Sequence, residues 1–354
     1  MSASPFEHPF LSGLLGDEEV AGLFSAEAEL DCMISFEEAL AAAEAQEGII
    51  PAESGALIAA KLEQIQLDME ALNRATRRDG VVVPELVRQL RKGIGEPHGQ
   101  WVHFGATSQD AIDTSLALRL KRLAKILGKR IDALVADLDS LDASCGEVRI
   151  MAHTSMQAAI AVSASRKILS WRDPLARHRQ RIDAAVEEAA LLQFGGAAGT
   201  LDKLGKESVT VIRHMAAQLG LEAPQRARHN ERDGIVAFAS ALAALTGSLG
   251  KIGQDIALMV QTEVGEAKLA SGGGSSAMPH KSNPVGAEVL VTLARFNATL
   301  VAGMHQALVH ENERSGAAWT LEWMLLPQIA VAAGAALNTA SGLISGLEIL
   351  PLES

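Results

Sequence analysis

The sequence predicts an all-α fold, a bundle of long helices preceded by a small helical domain, and three observations carry that prediction. Almost nowhere in its 354 residues do apolar and polar side chains alternate as a half-buried strand requires, and tyrosine is absent. Apolar residues recur instead every three or four positions: Leu116, Leu120, Leu123, Leu127, Ile131, Leu134, Leu138 and Leu141 keep one helix face apolar. A second series, Phe238, Leu242, Leu245, Leu249, Ile252, Ile256 and Met259, repeats in the four-three alternation of a coiled-coil seam.

Taken in order, residues 1–103 read as the N-terminal helical domain. Its helical stretches, Ala28 to Ala45 and Ser54 to Thr76, are short and broken by Gly-Ile-Ile-Pro at 48–51 and Val-Val-Val-Pro at 81–84. Residues 104–350 read as the central long-helix bundle. Its second long helix is expected from about Gly234 to Ala270, roughly 55 Å at 1.5 Å per residue. Gly247, Gly250 and Gly253 fall inside it, each costing up to ~1 kcal/mol relative to Ala, so a neighbouring helix is expected to approach closely there. A third helix follows through Val285, Leu290, Leu293, Phe296, Leu300 and Met304. From 323 to 347 no side chain is charged. Pro327, Gln328 and Asn338 interrupt that run and no Lys or Arg follows Arg314, so it reads as a helix buried in a bundle or subunit interface, not a membrane span.

The overall balance of 43 acidic against 31 basic residues gives −12, which argues against nucleic acid as a partner. No Lys or Arg precedes Lys61, so the N-terminus lacks the flank of a signal or transit peptide, and a cytoplasmic location is expected. Cys32 and Cys145 sit in no ligand or redox spacing and are expected as reduced thiols. His305, His310 and Glu311 do not form a His-Glu-x-x-His pattern, and no metal or cofactor is expected. Arg172, Arg177, Arg179 and Arg181 with His178 read as a solvated helix face from which one residue is able to reach a neighbouring subunit's substrate.

Function is carried by the stretch from Gly274 to Pro284, Gly-Ser-Ser-Ala-Met-Pro-His-Lys-Ser-Asn-Pro. Gly272–Gly274 frees the backbone on one side and Pro279 and Pro284 stiffen the other, the build of a lid. Ser275 and Ser276 supply hydroxyls, Lys281 a point charge and Asn283 a carboxamide, a set suited to a carboxylate-bearing substrate. A second segment, Trp101-Val102-His103-Phe104-Gly105-Ala106-Thr107-Ser108-Gln109-Asp110, precedes the first long helix. Thr107 and Ser108 there face an anion at a helix N-terminus, or Ser108, Asp110 or Asp113 simply caps the helix; the two roles are compatible. Phe194 to Thr200 reads as a second flexible loop.

These segments resemble the signatures of the fumarase/aspartase superfamily, whose members make or break a bond β to a carboxylate. The spelling Gly-Ala-Thr-Ser-Gln-Asp at 105–110, the block 193–201, Gln-Thr-Glu-Val-Gly-Glu at 261–266, and His-Glu-Asn-Glu-Arg-Ser at 310–315 with Trp319 and Trp323 are similar to the 3-carboxy-cis,cis-muconate cycloisomerase family, over about residues 100 to 330. One signature departs. The superfamily's Thr-His-x-Gln stands here as Thr154-Ser155-Met156-Gln157, with Ser155 at the histidine position and His153 two residues earlier. Expulsion of hydroxide, whose conjugate acid has a pKa of about 15.7, needs a proton donor. A carboxylate leaving a lactone, with a conjugate acid near pKa ~4, does not. Loss of the histidine is therefore awkward for hydro-lyase or amine-lyase chemistry and tolerable for lactonisation.

The resemblance implies a cofactor-free cycloisomerase of protocatechuate breakdown, converting 3-carboxy-cis,cis-muconate to a carboxymuconolactone. It implies Ser275 as the residue of proton transfer, activated by Lys281 and loop amides. Thr107, Ser108, Thr154, Gln157, Lys281 and Asn283 would hold the carboxylates. His103 and Arg314 are secondary binding candidates, and His153 a secondary catalytic one that does not simply inherit the acid role. It further implies a cytoplasmic homotetramer with each site assembled from three subunits, and a C-terminal third domain that is largely absent here. The rivals are an amine lyase of the same superfamily, resembling adenylosuccinate lyase, and a non-catalytic helical scaffold. A sulfonate replacing one substrate carboxylate is a further option.

Overall fold

A computed structural model describes residues 4–270, 272–274, 278 and 282–352. The N-terminal helices come first, short except for α3: α1 (Ser12–Leu15), α2 (Glu18–Gly22), α3 (Ala26–Gln46), α4 (Ala52–Lys61), α5 (Met69–Asp79) and α6 (Val83–Ile94). Ser25 caps α3 by accepting from Ala28 N–H, and Asp68 caps α5 through Ala71 N–H. The stretch expected from Ser54 to Thr76 is two helices, because the chain passes through a 3-10 turn at Leu62–Gln64 before Asp68 starts α5.

Five long helices follow: α7 (Ser108–Cys145), α8 (Ala164–Ala189), α10 (Asp233–Met259), α11 (Val285–Gln306) and α12 (Gly316–Ser345), with the shorter α9 (Ser208–Leu219) between α8 and α10. Each long helix packs on the next, and α12 returns to α7, closing a bundle. The apolar series behave as their spacing requires. Leu120, Leu123, Leu127, Ile131, Leu134 and Leu138 of α7 are fully buried, as is the α10 seam from Phe238 to Ile256. A Cβ on Gly250 would stand 2.5 Å from Ala294 Cβ, and one on Gly253 2.5 Å from Ala287 O, so these two glycines admit α11. Gly247 faces open space and has no such role.

Helix α10 ends at Met259, not near Ala270. Continuing the four-three alternation would place Glu263 and Glu266 on the seam, and Gly265 turns the chain with φ of 60°. Short antiparallel pairs complete the fold, which is otherwise all-α. Strand β1 (Arg149–Thr154) pairs with β2 (Gln157–Ser163) through the two-residue turn Ser155–Met156, and β3 (Ala267–Leu269) pairs with β4 (Leu347–Ile349). Both lie at the end of the bundle where α7 finishes. The first hairpin was not visible as alternation because most of its side chains, apolar ones included, are exposed in one chain, Met156 by 71% and Ile160 by 69%.

Candidate active site

At the start of α7 the sequence builds a dense polar knot. Thr107 is the N-cap, and its N–H donates to Asp110 Oδ2 at 2.9 Å, so Asp110 works from inside the helix. Asp110 is fully buried and saturated: Oδ2 also accepts from Gly196 N–H, and Oδ1 accepts from Gly195 N–H at 2.8 Å and faces His229 Nε2 at 2.7 Å. One carboxylate thus pins the glycine loop of 193–201 against residues 107–110. Gln109 donates to Asp113 Oδ2 and His229 O, while its Oε1 accepts from Arg314 Nε at 2.9 Å. Arg314 also reaches Ala197 O. Ser108 and Thr107 remain half-buried at the helix N-terminus, where free N–H groups and the helix dipole favour an anion.

Beneath this knot Arg232 bridges Asp113 and Glu322, all three almost sealed from solvent. Burial works against the guanidinium's charge, but the two carboxylates outweigh it and hold Arg232 cationic. Trp319 Nε1 donates to Asp113 Oδ1, and His310 Nε2 lies 3.3 Å from Glu322. The block 310–315 and Trp319 therefore belong to this pole. His103 joins it through Glu37, whose Oε1 is 2.5 Å from His103 Nδ1. Burial disfavours the imidazolium, yet the Glu37 carboxylate more than offsets it and the net direction is upward.

The opposite pole collects the other segments. His153 Nδ1 lies 3.7 Å and Lys167 Nζ 3.8 Å from the buried carboxylate of Glu266. With Ser155, Met156, Arg166 and Lys251 they line a half-open cleft of about 650 Å³. Thr154 and Gln157 flank the hairpin turn and are exposed. Asn283 exchanges two backbone hydrogen bonds with Gly273, at 2.8 and 2.9 Å, closing the base of the signature loop. Ser275 and Lys281 lie outside the described residues. An apolar cleft of about 440 Å³ between α3, α5, α7 and α12 contains none of the candidate site residues.

In one chain, then, His103, Thr107, Ser108 and Arg314 stand together, and His153, Thr154 and Gln157 stand together at the other pole, where Asn283 pairs with Gly273. The 38 residues of α7 separate the groups by roughly 55 Å at 1.5 Å per residue. Backbone strain marks both poles. Among the described residues the non-glycine positions with φ above zero are His103, Ser155, Met156, Leu201 and Asn312, every one inside a signature segment. His178, read as part of a solvated face, is instead buried and 2.8 Å from Ser248 Oγ, and burial lowers its pKa to about 4. Glu37, Glu44 and His229 were missed. Glu37 and Glu44, seven apart in an alanine-rich run, were a readable signal, since charges on an apolar face need a partner.

A family model described as lyase matches residues 17–303. The chain belongs to this lyase family. Within it, a 3-carboxy-cis,cis-muconate cycloisomerase of Pseudomonas aeruginosa is 39% identical over 334 residues, covering 92% of this chain and 72% of that relative. The crystal structure of 3-carboxy-cis,cis-muconate lactonizing enzyme from Pseudomonas putida superposes with a TM-score of 0.90 at 36% identity, covering 97% of this chain and 77% of that one. A trans-aconitate decarboxylase of Mycosarcoma maydis is 30% identical, covering 96% of this chain and 70% of its own length. The all-α architecture is thus the fold shared with lyase-family enzymes.

Proposed function

We propose that this protein is a cycloisomerase that converts 3-carboxy-cis,cis-muconate to a carboxymuconolactone in the protocatechuate branch of aromatic-acid breakdown. The observation that carries the substrate is the likeness, in sequence and in fold, to cycloisomerases of two pseudomonads. Ser155 supports the chemistry. One substrate carboxylate oxygen bonds to the β carbon of the conjugated alkene, the π electrons move toward the α carbon and its carboxylate, and the α carbon takes a proton; the ionised substrate takes up that one proton, and counted as free acids substrate and lactone are isomers. The group expelled in reverse is a carboxylate, which leaves without a strong acid. Ser275 is assigned the proton transfer and His153 a secondary catalytic role. Thr107, Ser108, Thr154, Gln157, Lys281 and Asn283 are assigned to the carboxylates, with His103 and Arg314 beside them.

The two poles of one chain are too far apart to share a small substrate, so a site using both requires more than one copy. That supports a homotetramer with sites shared between subunits. Helices α10, α11 and α12 are long and apolar enough to cross a membrane by length and composition, and only 28% of the apolar window of α11 is buried within one chain. We assign that face to contact between copies instead of lipid. Free Cys32 and Cys145 suit a reducing cytoplasm.

The test is ultraviolet absorbance of 3-carboxy-cis,cis-muconate. Rapid loss of the conjugated diene is expected, with no turnover of fumarate, argininosuccinate or adenylosuccinate. Turnover of a control with the diene untouched would replace this reading by an amine lyase or hydro-lyase. Carbon dioxide release from trans-aconitate would favour the decarboxylase relative. Absence of all turnover would leave the scaffold reading.

A further inference from the structure

His103 is held at its Nδ1 and has no hydrogen-bond partner at Nε2 among the described residues. A neutral imidazole giving its single N–H to Glu37 would present Nε2 as a bare lone pair, which repels a carboxylate. An imidazolium presents a charged donor at the same atom. The partner on Nδ1 therefore decides what Nε2 offers. Glu37 is 1% exposed on α3, and its Oε2 makes no hydrogen bond among the described residues. The other charged groups facing His103 are Arg91 of α6, whose guanidinium is spent on Val102 O, and Asp110 of α7, whose carboxylate is saturated. Glu44, two helical turns beyond Glu37, is fully buried with neither oxygen hydrogen-bonded, and burial followed by the Glu37 charge pushes its pKa up to about 9. Glu44 is thus neutral at pH 7, and Glu37 is the carboxylate that matches the imidazolium.

We propose that Glu37 is a positioning residue which keeps His103 a two-nitrogen donor, Nδ1 given to Glu37 and Nε2 to a carboxylate of the substrate. The strained φ of 62° at His103, four residues before the helix cap at Thr107, is consistent with a ring held in place by its surroundings. This inference rests on the reading of His103 as part of the anion site, and it assigns an α3 carboxylate to the reaction although that carboxylate touches no substrate.

The experiment follows the full chain labelled with 13Cε1-histidine, the His103 signal being assigned by its loss in His103→Gln. In Glu37→Gln the His103 titration is expected to move to lower pH by a unit or more, and in Glu37→Asp to move less. With 3-carboxy-cis,cis-muconate, Glu37→Gln should raise KM about tenfold near pH 8 with a smaller change in kcat, and the deficit should shrink as pH falls. Glu44→Gln should leave the His103 titration in place. An unmoved titration in Glu37→Gln, or an equal displacement in Glu44→Gln, overturns the proposal. If Glu37→Gln does not fold, Glu37→Asp and Glu44→Gln decide the same point by their relative displacements. Absence of diene loss in the wild-type protein would refute the cycloisomerase reading alone, since the titration still reports on the link from Glu37 to His103.

Discussion

Arg232 Nη1 donates to Asp113 Oδ2 across 2.6 Å, with both side chains all but sealed from water. The same guanidinium holds Glu322, so one cation ties the starts of α7, α10 and α12. Replacing it by Met should leave two buried carboxylates without a counter-charge. A loss of about 3–5 kcal/mol is expected for Arg232→Met in urea unfolding. A loss below about 1 kcal/mol would show that the carboxylates find protons or water instead.

Glu44 should make stability depend on pH. Its folded pKa, about 9, stands above the ordinary 4.5, so between these values the unfolded chain ionises and the folded one resists. Stability contributed by this site therefore falls as pH rises through that window. Glu44→Gln should match wild type near pH 4 and exceed it by a few kcal/mol near pH 9, the gap widening by about 1.4 kcal/mol at most for each pH step of one. Denaturant unfolding at pH 5, 7 and 9 checks it; a gap that does not grow refutes it.

His178 acts in the opposite window. With a folded pKa of about 4 against 6.5, it keeps full stability above pH 6.5 and loses it as pH falls toward 4, by about 3 kcal/mol in total. The ring resonances of His178 should show no protonation step at pH 5.5 and should shift only as the pH falls toward 4.

Ser108→Ala and Gln157→Ala should each lower kcat/KM at least tenfold. Because Ser108 and Gln157 lie at opposite poles of one chain, co-expressing the two variants should return activity in mixed assemblies that neither variant shows alone. Unrecovered activity in verified hybrids would count against sites shared between copies.

The helices were legible wherever burial lies within one chain. Leu116 to Leu138 and Phe238 to Met259 are spaced for faces that the bundle then covers, and Gly250 and Gly253 announced the α11 approach. The β1–β2 hairpin was illegible for the opposite reason: in a single chain most of its side chains are exposed, so no inside and outside faces set up an alternation. The early stop of α10 was available in Glu263 and Glu266, which break its seam. The polar segments near 103–110 and 194–200 were read from their residue types and those at 154–157 and 310–315 from the family resemblance, but their division between two poles depends on which way each long helix runs. The Glu37 to His103 link joins residues 66 apart and leaves no trace in local spacing.

The two-residue turn at Ser155–Met156 carries positive φ at both positions, a pattern that tolerates asparagine or glycine and penalises β-branched residues. With so short a connection, Thr154 and Gln157 are locked opposite each other. Inserting or deleting one amino acid there would shift the pairing by one place and turn every later β2 side chain, Gln157 first, to the other side of the ribbon. Length variation at this turn would rewire the pole it serves without altering a single chemical group.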